Sequence, residues 1–453
     1  MPTTLVTCDP RAIDWVLRSR FDNYVKGSVF RAKQRQLLGD GIFNVDGDAW
    51  RKQRKAAAHL FTVRGFRDHM LGVFDARLEG LCSKIDASLR DSSGPLELDM
   101  AAAMFDYTLS SFLEIGFGSR SGSADDARAF GAAFDEAQAI AGRRALLPPA
   151  ILWVVEAVTG RRRRMKECVA IVDGYAGRLI AERRATRLTA ADQGDRQDDV
   201  DQRVDDRDLL DRFMDIGALT GDAYTDRELR DIVVNFVIAG RDTTAQALSW
   251  TLYEIARRPT VAATIRAEMA AHHSHLATPP PSTHGDDDRG EEDRAEHFAA
   301  LSHRLVYTRA VLLESLRLHP PVPLEVKQAV NDDVLPDGTR VHAGDRIVWP
   351  LWAMARLEGV WGSDAGEFCP ERWIRDGKCI APSPSVWPVF NAGPRACLGQ
   401  QMAMLEAVAC ITTLLGRYDM ELVDPNGVQY RIALTLPMER GLRMRVTSRP
   451  TKM

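Results

Sequence analysis

Ten residues, Phe390-Asn391-Ala392-Gly393-Pro394-Arg395-Ala396-Cys397-Leu398-Gly399, place one cysteine in a short loop punctuated by glycine and proline. A phenylalanine stands seven residues before it and an arginine two before it. A run of helical character, residues 400–407, follows at once. That puts Cys397 at a helix N-terminus, where free N–H groups and the helix dipole favour a thiolate. A thiolate held rigidly at such a junction suits proximal ligation of haem iron. Gly393 and Gly399 allow backbone conformations and close approach that a Cβ would obstruct. Their amides could also hydrogen-bond to the sulfur. Phe390 can pack on the face of a flat ligand, and Arg395 can pair with a carboxylate at its edge. A buried structural cysteine is the ordinary alternative, and the Phe–x–x–Gly–x–Arg–x–Cys–x–Gly spacing argues against it.

A second constellation, Ala239-Gly240-Arg241-Asp242-Thr243-Thr244, falls inside a long helical pattern. Glycine in a helix interior costs about 1 kcal/mol relative to alanine, so something should compensate. Phe236, Gly240, Thr243 and Ala247 share one helix face by their spacing. A diatomic ligand could sit over Gly240, with Thr243 donating a hydrogen bond and Asp242 linked to a proton source. The bland alternative is a helix bent by its threonine and packed closely on a neighbour. Glu314 and Arg317 stand at i, i+3, where an exposed pair is worth only about 0.2–0.5 kcal/mol. With Arg372 from Pro370-Glu371-Arg372-Trp373 they read instead as a buried structural network. Trp50 and Arg54 share a face at i, i+4 and could hold a second anionic group of the cofactor. The other basic residues of 50–55 could meet an acidic partner, with a solvated basic helix as the alternative.

The elements that must position these residues are mostly helices. The spacing predicts helices over about 9–19, 47–60, 66–90, 99–116, 125–140, 162–187, 226–257, 259–272, 303–318 and 398–416. Strand signals gather late. A Pro-Asp-Gly turn separates the short apolar runs of 334–341, a strand follows at 345–349, and a further hairpin is expected within 430–446. The fold class is mainly α with small β-sheets, in one domain over 1–453. Residues 190–208 and 272–296 are expected to be flexible surface loops, because neither can bury enough apolar surface to offset ordering entropy. Histidines 272, 273, 275 and 284 fall in the second, which reads as a solvated insertion rather than a metal site.

The chain has 453 residues, 45% hydrophobic and 27% charged, with net charge −4. That is globular composition, and nothing in it points to nucleic acid as a partner. Seven scattered cysteines without a CxxC pair suggest a reducing compartment and free thiols. No stretch reaches the roughly 18 apolar residues of a membrane span. The first residues have neither the charged nor the apolar region of a signal peptide.

Together these motifs resemble the cytochrome P-450 superfamily, the haem-thiolate monooxygenases. They occur in the family's order: Trp50/Arg54, 239–244, Glu314/Arg317, 370–373, 390–399. Residues 51–64, 134–137, 208–214, 349–356 and 434–438 look most like its fatty-acid and alkane ω-hydroxylase branch. The resemblance implies haem b (iron protoporphyrin IX) with Cys397 as axial ligand, Phe390 beneath the porphyrin, and Arg395, Trp50 and Arg54 on the propionates. Dioxygen would be co-substrate, with Thr243 and Asp242 handling oxygen and protons. Phe134, Phe236, Ala239, Val322, Leu436 and Met438 would touch a lipophilic substrate. Electrons would come from an NADPH–cytochrome P-450 reductase docking on the cysteine side. The resemblance also implies the cytosolic side of the endoplasmic reticulum membrane, although no anchor is read in this chain. Leu5-Val6-Thr7 resembles a segment well inside the fold. The form is therefore expected to be truncated at its N-terminus, with a sheet edge exposed. A haem-thiolate isomerase or dehydratase is one rival reading, which the Thr243/Asp242 pair argues against. A non-catalytic haem-binding remnant is the other.

Overall fold

The computed structural model describes residues 3–58, 61, 69–92, 94–118, 124–146, 149–192, 208–220, 223–272 and 295–449. Helices dominate, with small sheets beside them. Seven helices matter most to the site: α1 (Gly47–Ala58), α2 (Met100–Phe117), α3 (Ala124–Leu146), α4 (Asp226–Val237), α5 (Thr243–Ala256), α6 (Val306–Leu318) and α7 (Gln400–Arg417). Local chemistry sets several of their ends. Thr225 and Glu228 form a reciprocal capping box at the start of α4. Asp99 caps α2, accepting from Ala102 N at 3.3 Å, and Gly118 closes it in the left-handed conformation.

The long helix expected over 226–257 is interrupted. Residues Ile238–Asp242 form a wide π turn between α4 and α5. Such turns are uncommon and gather at functional sites. Helices at Gly27–Leu38, Pro149–Val158 and Leu209–Thr220 were not anticipated from the spacing. The segments 193–207 and 273–294, which hold most of the two expected surface loops, lie outside the described residues. At 190–192 the chain is still helical. Among the described residues no cluster of His, Cys, Asp and Glu could hold a metal ion, and no helix is long and apolar enough to cross a membrane.

The largest sheet has the order β1 (Thr4–Val6), β7 (Arg346–Trp349), β4 (Glu325–Ala329), β2 (Tyr24–Val25). β1 is its edge strand and pairs with β7 in parallel, Leu5 opposite Ile347. The expected Pro-Asp-Gly hairpin is present: β5 (Asp333–Val334) pairs with β6 (Arg340–Val341), and Gly338 takes the positive φ of 89° that the turn requires. The expected 430–446 hairpin is only partly realised. Tyr430 bridges Met438, but β11 (Arg443–Ser448) pairs instead with β10 (Tyr418–Leu422) and β3 (Leu96–Asp99). A large core surrounds α2, α5 and α7, and a smaller one sits between the four-stranded sheet and residues 12–17.

Candidate active site

One cavity lies between the α4–α5 region and the cysteine loop. Phe112 of α2 and Phe236, Ala239, Gly240, Thr243 and Ala247 of the α4–α5 region line it, together with Phe390, Cys397, Leu398, Gly399 and Met402 of the cysteine loop and the start of α7. Lys26, Trp50, Arg54, Glu325 and Arg395 gather at its polar end, and Pro321 and Val322 line it as well.

The loop is tied back on itself. Cys397 N donates to Phe390 O at 2.8 Å, and Ala396 N to Gly393 O at 3.0 Å. Gly393 has φ 62°, and a Cβ there would overlap Leu17 O, so both conformation and close approach demand glycine. Gly399 has an ordinary φ of −89°, and a Cβ there would meet only Phe61 at 3.5 Å. Its backbone N–H does reach the Cys397 sulfur. Asn391 takes φ 58°, a strained choice for a residue with a side chain. Cys397 opens onto the cavity while protein crowds its other sides. Burial pushes its thiol above the ordinary value, and the Gly399 amide and Arg54 pull the other way. The expectation of a favoured thiolate at a helix start is therefore not met by the loop alone. A bound cation such as iron would deprotonate the thiol outright.

The polar end is cationic. The Arg395 guanidinium lies 4.6 Å from the Trp50 ring centroid and donates to Asp46 Oδ1 at 2.8 Å and Val45 O at 2.7 Å. Burial holds Arg54 below the ordinary arginine value, and it faces Cys397. Sequence reasoning missed Lys327. It is fully buried on β4, and its Nζ has no hydrogen-bond partner. Burial, with Lys26 and Arg395 close by, holds its amine well below the usual range. Glu325 and Lys327 share a strand face by their i, i+2 spacing, but the run Glu325-Val326-Lys327-Gln328 is mostly polar, so the sequence carries no signal of this burial. Lys26 donates to Glu325 Oε2 at 3.1 Å. With Lys26, Arg54 and Arg395 lining it, this end fits a ligand bearing carboxylates.

The α4–α5 region corrects several expectations. Thr243 faces the cavity, and its hydroxyl donates to Ala239 O at 2.7 Å, back across the π turn. Gly240 lines the cavity, but a Cβ there would overlap the Phe112 ring. The glycine thus serves close packing of α2 on the π turn rather than only a gap for a diatomic ligand. Asp242 faces away. It is wholly buried, accepts from Gln138 Nε2 at 2.8 Å and Arg241 Nη1 at 2.7 Å, and lines a second, polar cavity with Asp135 and Gln246. Burial pushes its carboxyl up to about 7, against the pull of Arg241.

Of the expected substrate contacts, Phe236, Ala239 and Val322 line the main cavity. The other three do not. Phe134 is fully buried and stacks on Phe130 at 5.2 Å between helices. Met438 lines the polar cavity instead, and Leu436 is buried and lines neither cavity. Those three positions came from resemblance rather than from spacing, and the packing of α3 and of the 430–438 segment decides them.

Behind the cysteine loop, Glu314 is fully buried and accepts from five groups. They are Arg317 Nε at 2.7 Å, Arg317 Nη2 at 2.8 Å, Arg372 Nε at 3.0 Å, Trp373 Nε1 at 2.9 Å and Cys369 N at 2.7 Å. Trp373 meets Trp387 at 5.2 Å, and Trp387 meets Phe390 at 5.7 Å, both edge to face, so this network supports the loop through a chain of ring contacts.

The family model described as "Cytochrome P450" matches residues 1–438. This chain belongs to the cytochrome P-450 family. "Cytochrome P450 704B1" of Arabidopsis thaliana is 34% identical over 99% of this chain and 88% of its own length. "Cytochrome P450 86B1" of the same plant is 32% identical over 98% of this chain and 77% of its own length. "Cytochrome P450 monooxygenase cyp1" of Mycosarcoma maydis is 32% identical over 98% and 68%. The helical architecture with small sheets is that of a cytochrome P-450, and membership supports a monooxygenase role with the haem-thiolate cofactor typical of the family.

Proposed function

We propose that the chain is a haem-thiolate monooxygenase that inserts one atom of dioxygen into a C–H bond of a long-chain aliphatic substrate, with fatty-acid ω-hydroxylation as the specific reaction. The observation that carries this reading is that Cys397 of the loop and Thr243 of the central helix line one mainly apolar cavity. Haem, when bound there, supplies the oxygen-activating chemistry. Cys397 would ligate its iron and Phe390 would pack on its face. Trp50, Arg54 and Arg395 would hold its carboxylates. Phe236, Ala239 and Val322 offer apolar contacts to an extended chain. Thr243 lines the cavity with its hydroxyl bonded to Ala239 O; swung toward a bound ligand it would donate a hydrogen bond there, a role that oxygen activation uses and a rearrangement without proton delivery does not. Asp242 is turned to the polar cavity behind the helix, on Gln138 and Arg241, and is left out of proton delivery to Thr243. Electrons would arrive from an NADPH reductase on the cysteine side.

The test is a product screen over straight-chain fatty acids with a reductase and NADPH present. Hydroxylation at or near the chain end supports the reading. Turnover confined to substrates of other chemistry would remove the substrate assignment and leave the monooxygenase one.

A further inference from the structure

The polar face of α5 holds a cavity wall that it does not itself touch. Gln246 and Trp250 are buried on the side away from the main cavity. The Gln246 amide donates to Thr435 Oγ1 at 2.7 Å, and its oxygen accepts from Leu436 N at 2.8 Å. Trp250 Nε1 donates to Leu436 O at 2.9 Å. Leu436 N also donates to Pro321 O at 2.9 Å. Pro321 and Val322 are walls of the main cavity.

A second tie reaches the same stretch from the end of α6. His319 stacks on Trp250 with centroids 4.4 Å apart and planes 3° from parallel. Its ring nitrogens meet Glu254 Oε1 and Tyr430 Oη, each at 2.7 Å. On the far side α3 comes so close that a Cβ on Gly142 would overlap the Ala433 backbone. Leu436 therefore cannot shift without leaving a buried amide and a buried indole unpaired, which costs far more than an exposed hydrogen bond. Pro321 is fixed through Leu436 and adjoins His319, so the wall is held from both directions.

We propose that Gln246 and Trp250 are positioning residues that set the length of apolar chain the main cavity accepts, by fixing Thr435–Leu436 and through it Pro321–Val322. The proposal rests on the reading of that cavity as the ligand site, and not on the identity of the substrate. Shape is then governed from outside the cavity, as supporting contacts govern other sites.

The experiment uses the haem-loaded protein and a series of N-alkylimidazoles of increasing chain length, which bind haem iron whatever the natural substrate. Absorbance titration gives affinity against length. Gln246→Met removes both bonds at similar volume, and Thr435→Val removes one. Each should change the ratio of long-chain to short-chain affinity by about fivefold, the factor equivalent to one lost hydrogen bond. Thr435→Ser, which keeps the hydroxyl, should restore the original profile. Ser249→Ala, on the same face but bonded only to Ala245 O, should leave it unchanged. Amide exchange over 322–325 should quicken in the first two variants without any ligand. Unchanged profiles and exchange in Gln246→Met and Thr435→Val would overturn the proposal, as would an equal shift in Ser249→Ala. If straight-chain carboxylic acids fail to bind the parent protein while the alkylimidazole profile shifts as stated, the substrate reading falls and the positioning role stands.

Discussion

The two faces of the central helix are built on opposite principles. Toward Cys397, the π turn and α5 present Ala239, Gly240, Thr243 and Ala247, small groups that leave space. Away from it, Arg241, Asp242, Gln246 and Trp250 are each engaged by the protein's own partners. One face is left for something the chain must bind; the other is closed by polar contacts that fix neighbouring segments. Adjacent residues in sequence, Asp242 and Thr243, fall on different sides of this division. A motif can thus be contiguous in sequence and still serve two separate structures.

The comparison breaks most severely on the polar face. Arg241 donates to both Asp135 and Asp242, at 2.7 Å each. Arg241→Met should cost about 3–5 kcal/mol, the usual result of stranding a buried charge. Denaturant unfolding measures it, and the loss should shrink as pH falls through about 7, where the Asp242 carboxyl takes up its proton. The same group shapes the parent protein's pH dependence. Its folded value lies near 7 against an ordinary 3.8. Between those values the folded state keeps a proton that the unfolded state releases, so this contribution to stability falls as pH rises and levels off above about 7. Asp242→Asn should flatten that slope.

A smaller loss is expected at the boundary between the faces. Gly240→Ala gains helix propensity but drives a methyl into Phe112. The net effect should be destabilisation of about 1–2 kcal/mol, since overpacking commonly costs about 1–3 kcal/mol. An increase in stability would mean that the space, not the contact with α2, explains the glycine. The smallest stability effect belongs to the cavity face itself. Thr243→Val should change stability by under about 1 kcal/mol, yet raise the peroxide released per product formed. Unchanged coupling would remove Thr243 from proton delivery.

What could be read from the sequence follows from how local each feature is. The cysteine loop closes on itself within ten residues, so its spacing carries most of its geometry. Glu314 and Arg317 are one helical turn apart, and Arg372 joins them from a motif with its own signature. The π turn was not legible, because its width depends on Phe112 pressing against Gly240 from another helix. The orientation of Asp242 depends on Gln138 and Asp135 of α3, more than a hundred residues earlier. Lys327 looked like an ordinary strand residue, and only its burial without a partner marks it.

The central claim is that Cys397 ligates haem iron in the cavity that Thr243 also lines. The reduced carbon monoxide difference spectrum of the haem-loaded chain tests it most directly. The expected result is a Soret band at the position of thiolate-ligated haem, abolished in Cys397→Ala and retained in Cys82→Ala, whose cysteine is buried in the core and does not line the cavity. A folded, haem-loaded protein without that band, or a Cys397→Ala variant that keeps it, would contradict the account.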